Sequence, residues 1–565
     1  MLHVSKPPTR VTLAGTRVAL PSNGGEAVSH NVALGYLQAF VEDEADLHVR
    51  RVDFTLRLGD AELPDRAVDE VLEGDPELIG ISSYCWDADA IGVLVDRVAE
   101  RSPESVIVLG GATATFAGEE FLRAHPAIRL AVVGEGEETF RELVRGGVHA
   151  PASVTGVLYR DGDVIRRTPA RPVSKLSALR SPYLSGVMEP PRNQLALEWS
   201  RGCVYRCKHC AWKNFLGGLR LGDPAAIVAE LGWAVDHGHE LAFVLDAAIN
   251  FDGAWLDEVT QHAARKVARD RLSLAYFLSR DHFREEQLRS LERLGAHEIW
   301  LGVESTNRHA LAALGRPPFD SAAFEAMLRQ LGALGPVHLS VMLGIPGDTL
   351  SGFRETIDYL AGLRDRGLPI AAVRVFWTLV PPGSFFHDRR EQFGIRTVSR
   401  GMPYLLGCSS FPQEDLAEAF RFLFEHPRRE LFVYDDPSPG TWLPGCESPG
   451  HHSPSRARPQ PGAARLPLET WDALVPGCAE GHPFARGWII RSLFLHEGWP
   501  SLRVEKGDRA ITLQLRLPES GRTGFCRVGP WELVWLRDGA IVAPDPELPV
   551  LARALALAAA RRSDA

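Results

Sequence analysis

Short apolar runs alternate with stretches of helical periodicity through the first quarter of the chain. The runs Arg17–Leu20, Leu47–Val52, Leu78–Ser82, Val106–Leu109 and Leu130–Val133 predict strands. Between them, Val32–Glu42, Ala88–Arg101 and Glu119–His125 carry apolar residues at the spacing of amphipathic helices. Strand–helix units repeated at this length predict a doubly wound parallel sheet. Val157–Arg167 then reads as a hairpin turning on Asp161-Gly162, followed by a polar strap to Tyr183. From Gln194 to about Gly394 the alternation resumes, with strands expected at Leu241–Leu245, Leu274–Leu278, Glu298–Val303, His338–Leu343 and Ala372–Val380.

The expected fold class is α/β: an N-terminal Rossmann-like sheet over 1–150, a connector over 151–190, a central partial β/α barrel over 191–400, and a C-terminal part over 401–565. That last part opens with a helix before residue 430. Asp435–Pro467 is dense in Pro, Gly, Ser and Arg, as a linker is. Strand-like alternation returns over Leu502–Leu517 and Phe525–Leu536, with a turn at Arg537–Gly539 and a final helix ending at Arg562, which together predict a small α+β domain.

Parallel sheets bind ligands beyond the carboxyl ends of their strands. There the first domain places small-residue loops: Pro21–Glu26, Ser82–Asp87, Gly110–Thr115 and Gly134–Thr139. One such loop is explained by tight turning alone; four on one edge indicate a site where backbone approaches a bulky ligand. The candidate contacts are Ser82, Ser83, Trp86, Gly110, Gly111, Gly134, Glu135 and Gly136. In the barrel the strand ends and adjoining helices carry Glu230, Asp246, Asn250, Ser279, Arg280, Asp281, Glu304, Ser305 and Asn307, where reacting groups of such barrels gather.

The densest chemistry lies in LEWSRGCVYRCKHCAWKNFLGG, residues 197–218. Cys203, Cys207 and Cys210 form a Cys-x3-Cys-x2-Cys array. Soft thiolates at this spacing suit three irons of a [4Fe–4S] cube and leave the fourth iron open for chemistry. A structural zinc site, with His209 or a distant residue as fourth ligand, is the competing assignment, and closely spaced free thiols would be an oxidation liability.

With that array the chain resembles the radical S-adenosylmethionine (SAM) enzymes, although His209 stands where the family usually has an aromatic residue. LGISSYCW, VIVLGGATAT and VVGEGEETF ahead of it resemble the cobalamin-binding domain of cobalamin-dependent radical SAM enzymes, over about residues 10–145. LGVES, LGIPGDT and VPPGSFF are similar to phrases of the family's barrel, and by that resemblance Ser279, Arg280 and Glu304 contact SAM. SAM's ammonium, carboxylate and hydroxyls need such acidic, basic and hydroxyl partners. The first-strand loop lacks the Asp-x-His-x-x-Gly motif whose His ligates cobalt in other cobalamin proteins. Asp46 and His48 lie in the second strand, so Cys85 or Trp86 is left to face the corrinoid or simply to pack.

The resemblance implies three cofactors, a [4Fe–4S] cluster, SAM and cobalamin. It implies methylation of an unactivated carbon, or of phosphorus, in a natural-product intermediate or peptide, with electrons from a flavodoxin- or ferredoxin-type reductant. Alternatives are methylcobalamin chemistry without hydrogen abstraction, ring formation or contraction without methyl transfer, RNA methylthiolation, and a non-enzymatic corrinoid sensor.

Composition narrows this further. A net charge of −10 argues against broad phosphate neutralisation and so against nucleic acid. No apolar run approaches the ~18 residues that span a bilayer, and the N-terminus lacks the layout of a secretory signal. Eight cysteines in 565 residues are too few for a disulfide framework, which fits a reducing cytoplasm. In the tail Cys446, His451, His452, Cys478 and His482 recur near Pro-Gly turns and form a candidate for a second metal site.

Overall fold

The computed structural model describes residues 7–19, 31–57, 63, 66–191, 195–266, 271–398 and 402–434, and strands between 483 and 542. In the first domain β1 (Arg10–Ala19), β2 (His48–Arg57), β3 (Leu78–Ser82), β4 (Val106–Gly110) and β5 (Ile128–Val132) run parallel in the order β2-β1-β3-β4-β5. The hairpin β6 (Val157–Asp161) and β7 (Val164–Arg167) adds antiparallel to β5, so the strands of the connector extend this sheet. Helices α1 (Val32–Phe40) and α6 (Glu137–Val144) cover one face, meeting Leu13, Leu78, Val108 and Leu130. Helices α2 (Arg66–Leu72), α3 (Ala88–Arg101) and α5 (Gly118–Ala124) cover the other over Ile79, Ile81, Ile107 and Leu109. The short α4 (Gly111–Phe116) starts where β4 ends.

The first strand begins seven residues earlier than its apolar run suggested. Thr12 and Thr16 interrupt the run, yet both are buried, because an interior strand of a doubly covered sheet hides both faces. Strand order reverses at β1/β3, and such reversal opens a crevice at the carboxyl ends.

The second domain is an open sheet of seven parallel strands: β8 (Leu195–Leu197), β11 (Leu241–Val244), β12 (Ser273–Leu278), β13 (Glu298–Glu304), β14 (Val337–Leu343), β15 (Ile370–Trp377) and β18 (Phe432–Tyr434). Between β8 and β11 lie the two-residue strands β9 (Ser200–Arg201) and β10 (Arg220–Leu221), and between β15 and β18 the pair β16 (Arg396–Thr397) and β17 (Leu405–Gly407). The helices α7 (Trp212–Leu216), α8 (Pro224–Asp236), α9 (Gly253–Lys266), α10 (Leu288–Leu294), α11 (Arg308–Leu314), α12 (Ser321–Leu331), α13 (Leu350–Asp365), α14 (Phe385–Asp388) and α15 (Gln413–Glu425) link and flank these strands. Their starts are chemically marked. The Asp223 side chain accepts from the Ala225 N–H ahead of Pro224, Asn307 caps α11 and Thr349 caps α13. β18 adds a seventh strand that sequence periodicity did not show, its three residues being too short to carry a period.

In the tail β19 (Pro483–Ala485), β20 (Trp488–His496), β21 (Trp499–Lys506), β22 (Arg509–Arg516), β23 (Cys526–Val528), β24 (Trp531–Arg537) and β25 (Ala540–Val542) form one antiparallel sheet. The single run expected at 502–517 falls on two strands, β21 and β22, and the strand at 488–496 was missed. The final helix and the Cys446, His451, His452, Cys478 and His482 group lie outside the described residues.

Candidate active site

The three-cysteine loop is built from its ends inward. Buried Asp246, just past β11, accepts hydrogen bonds from the Trp199 N–H at 2.8 Å and the Ser200 hydroxyl at 2.5 Å, fixing the turn from β8 into β9. β9 then pairs with β10, so the loop leaves and returns through one short ladder. Gly202 has φ +86° and lies so close to the Gly218 carbonyl that no Cβ fits, which permits the crossing. Cys203, Cys207 and Cys210 hang half-buried from this loop. Burial pushes the Cys207 thiol up, and pushes Cys210 up to about 11. Loading with a metal cluster therefore has to displace protons.

Two side chains around these thiols escaped the sequence reading. Arg316 follows the left-handed Gly315 that ends α11 and places Nη1 3.9 Å from Cys207 Sγ and Nη2 3.4 Å from Asp281. It lies over the ring of Tyr205, whose hydroxyl meets Ser279 Oγ at 2.8 Å and His282 Nδ1 at 2.7 Å. The available signals were an Arg directly after a helix-ending glycine and a Tyr between two cysteines of the array. His209 Nδ1 is buried and has no hydrogen-bond partner among the described residues, and burial pushes the ring down to about 4, so it is neutral at pH 7.

Glu304 ends β13 at φ +64°, a conformation rare for a residue with a side chain, after a register shift between Gly302 and Glu304. Burial raises its pKa, while Arg316 and Arg280 oppose the rise. Of the three residues expected to contact SAM, Glu304 alone lines the cavity described below. Ser279 is held by Asn250 and Tyr205, and Arg280 bonds Asp281 and the Val303 carbonyl. Asn307 and Ser305 converge on Asp348, Asn250 braces Ser279, and Glu230 is buried on α8, bonded to Ser181 rather than to this group.

On the facing side, Ser82, Trp86, Gly110, Gly111, Gly134, Glu135 and Gly136 all line the same cavity. Gly111, at φ +86°, presses against the Ser83 carbonyl where a Cβ would collide. Tyr84 and Trp86 stack at 4.6 Å, nearly parallel. Cys85 beside them is pushed up to about 12 by burial, so its thiol stays protonated. Ser83 is fully buried behind this turn. The loop at Pro21–Glu26 lies outside the described residues.

The acids of the 134–139 loop have a second occupation. Glu135 bonds Arg220 at 2.5 Å and approaches Arg201 at 3.4 Å; Arg201 also pairs with Glu137 at 2.8 Å and Glu198 at 2.9 Å. Burial raises Glu135, but Arg220 and Arg201 outweigh it and hold its carboxyl below the usual range. This cluster joins the glycine-loop edge of the first sheet to the ladder at the base of the cysteine loop.

Between the two sheets lies a cavity of about 1580 Å³, lined from one side by the glycine loops and from the other by His209, Cys210, Glu304, Met342 and Phe376. That exceeds the ~300–1,000 Å³ of an ordinary small-molecule site and suits more than one guest. Residues 25–144 match the B12 binding domain family, and residues 197–360 match the Radical SAM superfamily. The chain is a B12-binding radical SAM protein.

Among curated relatives, it is 27% identical over 390 residues to the cobalamin-dependent radical SAM methyltransferase TokK of Streptomyces tokunonensis, covering 63% of this chain and 55% of that protein. It is 33% identical over 352 residues to the 2-(S-pantetheinyl)-carbapenam-3-carboxylate methyltransferase of Streptantibioticus cattleyicolor, covering 58% of this chain and 50% of that protein. The chain thus spans about half the length of the curated relatives it matches. In fold it resembles the radical SAM methyltransferase TsrM of Kitasatospora setae, solved with tryptophan and a SAM analogue, at TM-score 0.59 and 16% identity over 75% of this chain and 90% of that one.

The residues present fit this B12-binding radical SAM protein's cofactors: a [4Fe–4S] cluster, SAM and cobalamin. Three thiols share one loop, a buried imidazole nitrogen lacks a partner, and a glycine-walled cradle opens into a cavity large enough for a corrinoid.

Proposed function

We propose that the chain is a cobalamin-dependent radical SAM methyltransferase that methylates an unactivated carbon of a natural-product intermediate or a peptide, with residues 1–150 holding the corrinoid and 191–400 the cluster and SAM. The observation that carries this reading is the single chamber onto which both the glycine loops and the cysteine loop open. Support also comes from the two methyltransferases to which the chain is similar.

When bound, the cluster and SAM supply a carbon radical and the corrinoid a methyl group. Cys203, Cys207 and Cys210 would ligate the cluster, and Glu304 would accept from SAM's ammonium or ribose. The neutral His209 ring offers its free nitrogen to the same guest, and Arg316 sets a positive charge beside Cys207. Met342, Phe376, Leu379 and Tyr404 supply a wall without formal charge, which excludes water from a reactive intermediate.

For the electron donor, the stretch between Glu198 and Asp223 contains five basic residues and no acid in a chain of net charge −10. Arg201 and Arg220 are neutralised internally, leaving Arg206 exposed and Lys208 and Lys213 half-exposed; Lys208 and the exposed Arg389, which Arg390 follows, both lie over the Phe385 ring. An acidic flavodoxin- or ferredoxin-type protein complements that face. The net charge favours a small substrate over nucleic acid. Among the described residues no helix is long and apolar enough to cross a membrane, and the oxygen-sensitive cluster suits a reducing cytoplasm.

The test is anaerobic turnover with SAM carrying a deuterated methyl group. Methyl transfer predicts a product heavier by the labelled methyl group together with S-adenosylhomocysteine and 5′-deoxyadenosine; a product unchanged in mass defeats it. Cys203→Ala, Cys207→Ala and Cys210→Ala should each abolish 5′-deoxyadenosine formation.

A further inference from the structure

β1 and the turn after β3 meet on one buried carboxylate, and the first turn of α4 joins them through Ser83. Asp87 is 1% exposed. Its Oδ1 accepts from the Tyr84 N–H at 2.7 Å and from the Ser83 hydroxyl at 3.1 Å, while Oδ2 accepts from the Thr16 hydroxyl at 2.5 Å. Ser83 Oγ lies 3.1 Å from Thr113 Oγ1, the Ser83 N–H donates to the Gly110 carbonyl at 3.0 Å, and the Thr113 N–H donates to the Ser83 carbonyl at 3.1 Å. Asp87 also closes the turn, its N–H donating to the Tyr84 carbonyl and its own carbonyl accepting the first helical bond from Ile91.

What this turn presents is the wall of the chamber at the sheet's switch point: the stacked rings of Tyr84 and Trp86 with Cys85 between them. The other buried acids around the chamber, Glu135, Glu137 and Glu304, face arginines. Asp87 is held by two hydroxyls and an amide, donors that fix direction rather than neutralise charge.

We propose that Asp87 is a positioning residue for the corrinoid, which holds the Tyr84–Trp86 wall in the one shape that receives the macrocycle. This rests on the reading of the chamber as the cobalamin site. A wall ordered before binding spares the complex the entropy of ordering it afterwards. Asparagine should serve in its place, because its oxygen accepts from Tyr84 and Ser83 while its amide donates to Thr16. Alanine removes all three bonds and leaves the main-chain bonds of the turn intact.

The experiment titrates the full-length protein with hydroxocobalamin by absorbance and records the electron paramagnetic resonance spectrum of bound cob(II)alamin. Asp87→Asn should bind within about twofold of the parent with the parent's spectrum. Asp87→Ala should bind about tenfold more weakly, as expected for losing one to two net hydrogen bonds, with an altered spectrum. Iron content at the cysteine loop should be the same in all, which a general loss of fold would not allow. An Asp87→Ala protein with the parent's affinity and spectrum overturns the proposal, as does an Asp87→Asn protein as impaired as the alanine variant. Should Asp87→Ala fail to fold, Thr16→Val carries the same comparison, and parent-like affinity and spectrum there overturn it. A parent protein that binds no hydroxocobalamin removes the reading of the chamber itself and is thereby told apart from failure of Asp87's role.

Discussion

Arg201 Nη1 lies 2.8 Å from Glu137 Oε1, and each side chain is only 6% exposed. One stands on β9 at the base of the cysteine loop, the other opens α6 of the corrinoid sheet, so this pair pins the two sides of the chamber together. A buried pair gains little over an apolar one, but stranding one partner is expensive, about 3–5 kcal/mol. Arg201→Met strands Glu137 and Glu198, since Glu135 keeps Arg220, whereas Glu137→Gln leaves Arg201 with Glu135 and Glu198. Urea denaturation should therefore show the larger loss for Arg201→Met, and equal losses would contradict the network.

Arg316 places its positive charge beside the Cys207 sulfur. A positive charge at that range favours the reduced cluster by Coulomb attraction. Arg316→Met should keep its iron, lower the cluster's midpoint potential on the order of tens of millivolts, and slow 5′-deoxyadenosine formation; Arg316→Lys should fall between. A redox titration that finds the parent's potential in Arg316→Met would remove this role.

The acid-free loop predicts a salt-dependent reductant. Arg389→Glu combined with Arg390→Glu should raise the KM for an acidic flavodoxin several-fold at low ionic strength and flatten its salt dependence, because exposed charges act through screened attraction. Turnover driven by dithionite should be untouched. Equal KM values for parent and variant across a salt series would place the donor elsewhere.

Burial pushes Glu230 up to about 7. Its ionised form is thus disfavoured by folding. Below the unfolded pKa both states hold the proton and nothing is lost. Between about pH 4.5 and 7 the unfolded chain releases it while the folded protein keeps it, so stability falls as pH rises and levels off above 7. Glu230→Gln should reduce that slope and raise stability at pH 8 by up to about 3 kcal/mol. Denaturation midpoints measured across pH 5–8 decide the matter, and an unchanged slope would contradict it.

Much of the site was written in local pattern. The cysteine spacing, the glycine loops and the strand ends are short-range features, and alternation of apolar runs with helical spacing suffices to announce parallel α/β architecture. The pattern misled where local signal and environment diverge. Thr12 and Thr16 masked most of β1, because polar groups satisfied inside a doubly covered sheet look exposed on paper.

What the sequence by itself determined was the spacing of three thiols, Cys203, Cys207 and Cys210, on one loop and the glycines that let backbone approach closely, since thiol chemistry and backbone freedom belong to residue types. Only the tertiary structure decided how those parts are joined: that Glu135 serves Arg220 and Arg201, that Arg316 reaches Cys207, and that Asp87 ties its own turn to β1. Such pairings depend on side chains separated by tens to over a hundred positions. Their partners are selected by burial and by the demand that each buried charge or donor be matched, which no local spacing records.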